Sequence, residues 1–214
     1  MNRDSSTAST GRRYAGLTPA ERVRQRRAAI LAAALELFGT TGYASSPVKQ
    51  ICRAAGLSER YFYESFADRE DCLAAVYAGL AEDMRSAVLA AIQDAAPDLD
   101  AVTHAGLAAF IGYLTDDPRR ARVDLIEVVG VSEAMEQRRH AVLAEFTDII
   151  VATWAASRAE PVTPQIRSMA VVLAGGVNHL LVDWLMTGRQ QTPSDLIEAC
   201  ASIFSAVRER LDKS

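Results

Sequence analysis

Apolar residues recur at three- and four-residue intervals along most of this chain, the period of a helix with one buried face. Thr18-Pro-Ala-Glu21 reads as a helix start: a cap, a proline at the first position and a glutamate three residues after the cap. Ile30, Ala34, Leu37 and Phe38 continue it as an apolar stripe, Gly39 and Gly42 are expected to end it, and Tyr43 to anchor the turn. Ser46 is placed to cap a second helix with Pro47 in its first turn, and Val48, Ile51, Ala54 and Ala55 give that helix an apolar face. Gly56 falls where a helix stops and the chain turns through positive φ. Leu57 plugs the turn and Ser58 caps a third helix. There Phe62 and Phe66 point one way, while Glu59, Arg60, Tyr61, Glu64 and Ser65 lie largely on the other sides.

Asp68 caps a fourth, longer helix reaching about residue 96. Its Cys72, Leu73, Val76, Leu80, Met84, Val88 and Ile92 mark a helix packed along its whole length, about 40 Å at ~1.5 Å per residue. Breaks at Pro97, Pro118, Gly130, Pro161 and Gly188 separate five further helices, at about 99–115, 118–129, 132–158, 163–187 and 193–211. No internal repeat is visible. An all-α fold is expected. Residues 169–185 are almost wholly apolar, more than one face of a monomeric helix needs, and Gly175-Gly176 would let another backbone come close. Leu196, Ile197, Ile203, Phe204, Val207 and Leu211 give the last helix a matching stripe. The alternative is a pair of well-buried helices within one monomer.

Composition supports the helical reading: half of the 214 residues are hydrophobic, and only seven are proline. No uninterrupted apolar run reaches about 18 residues, so no membrane span is expected. The Ser/Thr/Arg-rich start lacks the apolar core of a secretory signal, so a cytoplasmic location is expected. Cys52, Cys72 and Cys200 are odd in number and lack metal-ligand spacing, as expected of reduced, buried thiols.

Charge adds a second layer. The net charge of −4 argues against nucleic acid, but its distribution does not. Residues 1–66 hold ten Lys and Arg against five Asp and Glu, and the remainder holds thirteen against twenty-two. A +5 head on a −9 body concentrates phosphate attraction at one end.

That basic end holds the two short capped helices around a glycine turn, the helix-turn-helix layout. Taken alone, the window also fits an ordinary helical hairpin. Its flanks make it more specific. Ile30-Leu-Ala-Ala-Ala-Leu-Glu-Leu-Phe38, Gly39-Thr-Thr-Gly-Tyr43, Ile51, Ala55-Gly-Leu-Ser58, Phe62-Tyr63, Phe66 and Arg69-Glu70 together resemble the TetR family of one-component bacterial regulators. The likeness runs from about Arg24 to Leu73. Arg60 departs from it, standing where the family often has a small residue in the recognition helix.

The resemblance implies an N-terminal three-helix DNA-binding domain at 18–67 and a helical effector-binding and dimerisation domain at 68–214, preceded by a flexible basic arm at 1–17. In the arm, Arg12 and Arg13 are candidates for minor-groove or phosphate contact; the alternative is a solvated tail. It also implies a homodimer joined through the last two long helices, double-stranded DNA and a small-molecule effector as partners, no cofactor and no membrane. Repression of a palindromic operator, relieved by the effector, is the family habit. The DNA-contact candidates are Ser46, Lys49, Ser58, Arg60, Tyr61, Tyr63, Glu64 and Arg69. Arg60 either pairs with guanine N7 and O6 or makes an ion pair with Glu64 four residues on; Glu64 is also a candidate acceptor from cytosine N4. Tyr61 and Tyr63 either reach phosphates or pack at the domain surface, and the resemblance favours Tyr63 as phosphate ligand. Lys49 and Arg69 look like backbone contacts.

In the body, polar residues interrupt apolar runs at His104, Asp124, Glu127, Asn178, His179 and Asp183. The effector candidates are His104, Phe110, Glu127, Trp154 and Asn178, with Glu127 and Asn178 the preferred polar anchors. Each has a plainer reading as a satisfied core or interface hydrogen bond. Two other functions compete. An enzyme would need a catalytic constellation, but Glu136 and His140 stand four apart rather than three, and no Ser/His/Asp or Cys/His order appears, so no activity is expected. A helical protein-interaction bundle without specific DNA binding is the alternative to the regulator.

Overall fold

The computed structural model of the protein describes residues 18–157 and 161–212. The expected N-terminal arm, with Arg12 and Arg13, lies outside the described residues. Nine α-helices and no strand are found among the described residues. α1 (Pro19–Thr40), α2 (Val48–Ala54) and α3 (Glu59–Tyr63) form an N-terminal helix-turn-helix head. α4 (Arg69–Asp94), α5 (Leu99–Thr115), α6 (Pro118–Arg122), α7 (Glu133–Ala156), α8 (Pro164–Met186) and α9 (Pro193–Asp212) follow.

The termini obey the sequence. Thr18 and Glu21 form the complete capping box of α1, and the Asp68 carboxylate accepts from the Asp71 N–H at 2.8 Å. Asp98, Asp117, Ser132 and Thr163 cap α5, α6, α7 and α8 in the same way.

Three local expectations fail for physical reasons. Gly39 does not end α1; it lies inside the last turn, where α6 presses on it. A Cβ there would stand 2.4 Å from Arg119 Cβ and 2.7 Å from Arg119 Cα, so only glycine permits this crossing. The chain reverses at Gly42 instead, at φ +95°. Ser46 does not cap α2: Pro47 holds that position, and the Ser46 hydroxyl donates to the Gly42 carbonyl at 2.7 Å. The helix expected over 118–129 splits into α6 and a π-helical continuation, Val123–Glu127. Such wide turns often occur at functional sites.

Two apolar clusters result. One gathers Ile30, Ala34 and Phe38 of α1, Ile51 of α2, Phe62 of α3, Phe66, and Leu73, Val76 and Leu80 of α4. The other gathers Met84 and Val88 of α4 with Leu107, Ile111, Phe146, Trp154, Leu173, Leu181 and Phe204. α4 runs from one to the other, packed along its length as its apolar stripe implied.

α8 is long and apolar enough by composition to cross a membrane, yet only part of it packs inside the molecule. One side carries Leu173, Val177, Leu181 and Trp184 into the core. The other leaves Val171, Val172, Gly175, Gly176 and Met186 exposed. On α9, Ile203 is exposed as well.

Candidate nucleic-acid interface and effector cavity

The head is built around aromatic anchors. Phe62 and Phe66 stack 5.4 Å apart beneath α3, and Phe62 is fully buried. Gly56, at φ +66°, turns the chain so that the Leu57 N–H reaches the Cys52 carbonyl at 2.9 Å. Leu57 and Val48 pack against the cluster, whereas Ala54, expected on the apolar face, is exposed. With its phenylalanines directed inward, α3 turns its polar side chains outward.

Those side chains divide into free and engaged groups. Ser58, Arg60, Tyr63 and Glu64 are exposed on or beside α3, and Lys49 is exposed on α2. Arg60 is wide open, with 84 % of its side chain exposed and its Nε 3.2 Å from Glu64 Oε1. The expected intrahelical ion pair therefore forms, but an exposed pair of this kind is worth only a few tenths of a kcal/mol and yields easily to a base edge. Glu64 also faces Arg26 of α1 at 3.5 Å, and the Arg26 guanidinium lies 4.4 Å from the centre of the half-buried Tyr61 ring. Tyr61 thus spends its ring on tying α3 to α1. Arg69 lies 4.2 Å over the Tyr43 ring and points Nη1 at the Ala44 and Ser46 carbonyls, so it braces the loop before α2. Ser46 is fully buried and its hydroxyl is committed to Gly42, which withdraws it from the surface where a phosphate contact was expected.

Head and body meet at α6 and its π-helical continuation. Arg119 pairs with Glu36 of α1, and Arg122 Nη1 donates to the Thr40 carbonyl at 2.8 Å. Glu127 takes one hydrogen bond from the Tyr43 N–H at 2.7 Å and one from Arg122 Nε at 2.8 Å. Glu127, expected as an effector anchor, is therefore a junction residue. The sequence run around it is apolar because the turn is buried between two cores, which resembles a pocket wall until the partners are seen.

Within the body, α4, α5, α7, α8 and α9 line a half-open cavity of about 80 Å³. Its wall is almost entirely carbon, from Val88, Ile92, Leu107, Ile149, Val177 and Phe204 among others. Phe110 and Trp154, both expected, line it. Thr153 also lines it, but its hydroxyl donates to the Ile149 carbonyl at 2.8 Å. His104 lies elsewhere: it is exposed and bridges to Glu198 of α9 at 3.1 Å, since its position on α5 faces solvent. Asn178 lines a smaller adjoining space with Tyr77, Asp124 and Arg139. Asp124 is the residue that sequence reasoning passed over. Its signal was a carboxylate inside Val123-Asp-Leu-Ile126, weighed equally with its exposed counterparts. It is 7 % exposed, and burial raises its pKa from 3.8 to about 7 against the pull of Arg139. Cys52, Cys72 and Cys200 are free and buried, and burial raises all three thiols. Among the described residues no group of three His, Cys, Asp or Glu side chains is placed to hold a metal ion.

A helix-turn-helix head carried by a helical body is the layout of the helix-turn-helix class of DNA-binding proteins. The sequence model described as bacterial regulatory proteins, tetR family, matches residues 30–76, the segment that spans the helix-turn-helix and the start of α4. The whole fold extends the likeness. The fatty acid degradation regulator FadR from Bacillus halodurans superposes with a TM-score of 0.75 at 16 % identity, over 88 % of this chain and 96 % of that one. A regulator from Pseudomonas aeruginosa PAO1 gives 0.73 at 18 %, over 91 % and 94 %. FadR from Bacillus subtilis, in complex with stearoyl-CoA, gives 0.68 at 18 %, over 83 % and 96 %. At these identities the likeness is one of fold. No curated protein sequence matches the chain.

Proposed function

We propose that this regulator is a cytoplasmic homodimeric repressor that reads a palindromic operator and is released when an apolar small molecule enters the body cavity. The observation that carries the reading is α3, whose phenylalanines are buried while Ser58, Arg60, Tyr63 and Glu64 stand open on a basic head. Arg60 is the base-reading residue, and Tyr63 and Lys49 are phosphate contacts that fix register. Tyr61 and Arg69 act from behind, holding α3 and the preceding loop in place.

The exposed stripe of Val172, Gly175, Gly176, Met186 and Ile203 supports dimerisation through α8 and α9. A two-fold dimer presents two α3 helices to half-sites about 34–36 Å apart. The carbon-walled cavity supports an effector with an alkyl or acyl chain, as does the fold shared with the stearoyl-CoA complex of the Bacillus subtilis protein. Filling it moves α4 and the α6 turn, which between them carry the head, and changes head spacing. A coupling of about 1–3 kcal/mol suffices for regulation.

Binding to a selected operator duplex at two salt concentrations tests the DNA half of this reading. Arg60→Ala is expected to relax specificity at one position in each half-site and weaken operator binding by about 1–3 kcal/mol per half-site. Lys49→Ala is expected to weaken all duplexes alike and flatten the salt slope. Equal operator affinity in the parent and Arg60→Ala would remove Arg60 from the readout.

A further inference from the structure

The apolar cavity has a polar annex. Phe110, Leu143 and Phe146 line both the cavity and a smaller space behind it that has room for one water-sized group. Tyr77, Asp124, Arg139 and Asn178 are the polar residues that line that space. Asp124 Oδ1 is buried and accepts no hydrogen bond. Arg139, whose Nη1 donates to Glu136 at 2.7 Å, makes no hydrogen bond to it. A buried carboxylate oxygen without a donor is costly and rare in a folded protein, and here it sits in a π-helical turn beside an apolar cavity.

We infer that the effector carries a neutral hydroxyl on its apolar skeleton and donates it to Asp124 Oδ1. This deepens, and rests on, the reading of the cavity as the effector site. The alternatives are excluded by charge and size. Above pH 7, where Asp124 is ionised, a carboxylate would face its charge. An ammonium would face the Arg139 guanidinium, and its methylated forms exceed the space. A hydroxyl is uncharged, small, supplies the missing donor and can accept from the Asn178 amide in return. The chain of the effector then lies among the residues of the large cavity, with the Phe110–Phe146 pair, 4.9 Å between ring centres, at the threshold.

Trp154 in the cavity wall gives a fluorescence readout on the full chain. Three probes separate the chemistries: 1-decanol, its methyl ether 1-methoxydecane, and decylamine. The alcohol is expected to bind at least about tenfold more tightly than the ether, and the amine no more tightly than the ether. Asp124→Leu, checked for helical content by circular dichroism, should bring alcohol and ether within about twofold; Asp124→Asn, which keeps the size and loses the charge, should narrow the preference. Equal binding of alcohol and ether by the parent protein, as expected if a water satisfies the carboxylate, would overturn the inference and leave the cavity reading standing. So would tighter binding of the amine, or a preference unchanged in both variants. No response to any of the three would overturn the cavity reading with it.

Discussion

Asp124 is the only acidic side chain buried among the described residues, and its titration makes a stability prediction. Burial holds its pKa near 7 in the fold against 3.8 for an open carboxyl, so the folded chain binds more protons than the unfolded one between those values. Stability from this group is therefore greatest below about pH 4 and is lost as pH rises through 7. Asp124→Asn removes the dependence. Its stability relative to the parent, from urea unfolding, is expected to be about 2–3 kcal/mol more favourable at pH 8 than at pH 5. An equal difference at both values would show that the carboxyl titrates normally. Gly39 makes a second prediction at this scale. With Arg119 backbone 2.7 Å from the position of a Cβ, Gly39→Ala should cost about 1–3 kcal/mol, visible as a lowered melting temperature. A neutral result would mean α6 can withdraw freely. Individual side chains were also where sequence reading reached its limit. Phe62 and Phe66 were placed correctly because helical period and size decide their burial. Ser46, Glu127 and His104 were not, because a polar side chain's role depends on the partner that the fold brings to it: Gly42 across a turn, Tyr43 in the loop before α2, Glu198 on α9.

At the scale of elements, caps and breakers carried the reading. Thr18, Asp68 and Pro118 mark helix starts through local chemistry alone, and these starts are where the sequence put them. The π-helical turn after α6 was not legible, since its width answers to packing between two cores rather than to any residue within it. That turn sets two functional elements one helical turn apart: Asp124 faces the body, and Glu127 holds Tyr43 in the head. Glu127→Ala should leave the Trp154 response to effector intact while reducing a tenfold effector-induced loss of DNA affinity to less than about threefold. Undiminished release would place the coupling in α4 alone. The outer face of α8 carries the oligomer prediction. Val172, 72 % exposed at the centre of the apolar stripe, is expected to be buried in the dimer. Val172→Asp should yield a monomer by sedimentation with helical content unchanged, and a dimer of parental affinity would move the interface elsewhere.

At the scale of the molecule, the charge distribution and the architecture agree. A basic head is held on an acidic body by α4 and by the α6 clamp, so the charge that attracts phosphate lies at the helix-turn-helix end. The body's near-featureless composition hid its cavity from sequence reading: an apolar residue lining a void and one filling a core have the same helical period. A regulator of this form works only if the paired heads match the spacing of DNA half-sites and lose the match when the cavity fills. Selection of bound duplexes from a random pool by the full chain, repeated at two salt concentrations, tests this most directly. The account predicts a palindrome whose half-sites lie one helical turn apart, bound by two chains with a steep salt dependence. Weak binding without sequence preference at either salt concentration would contradict it and leave a helical bundle that meets other proteins rather than DNA.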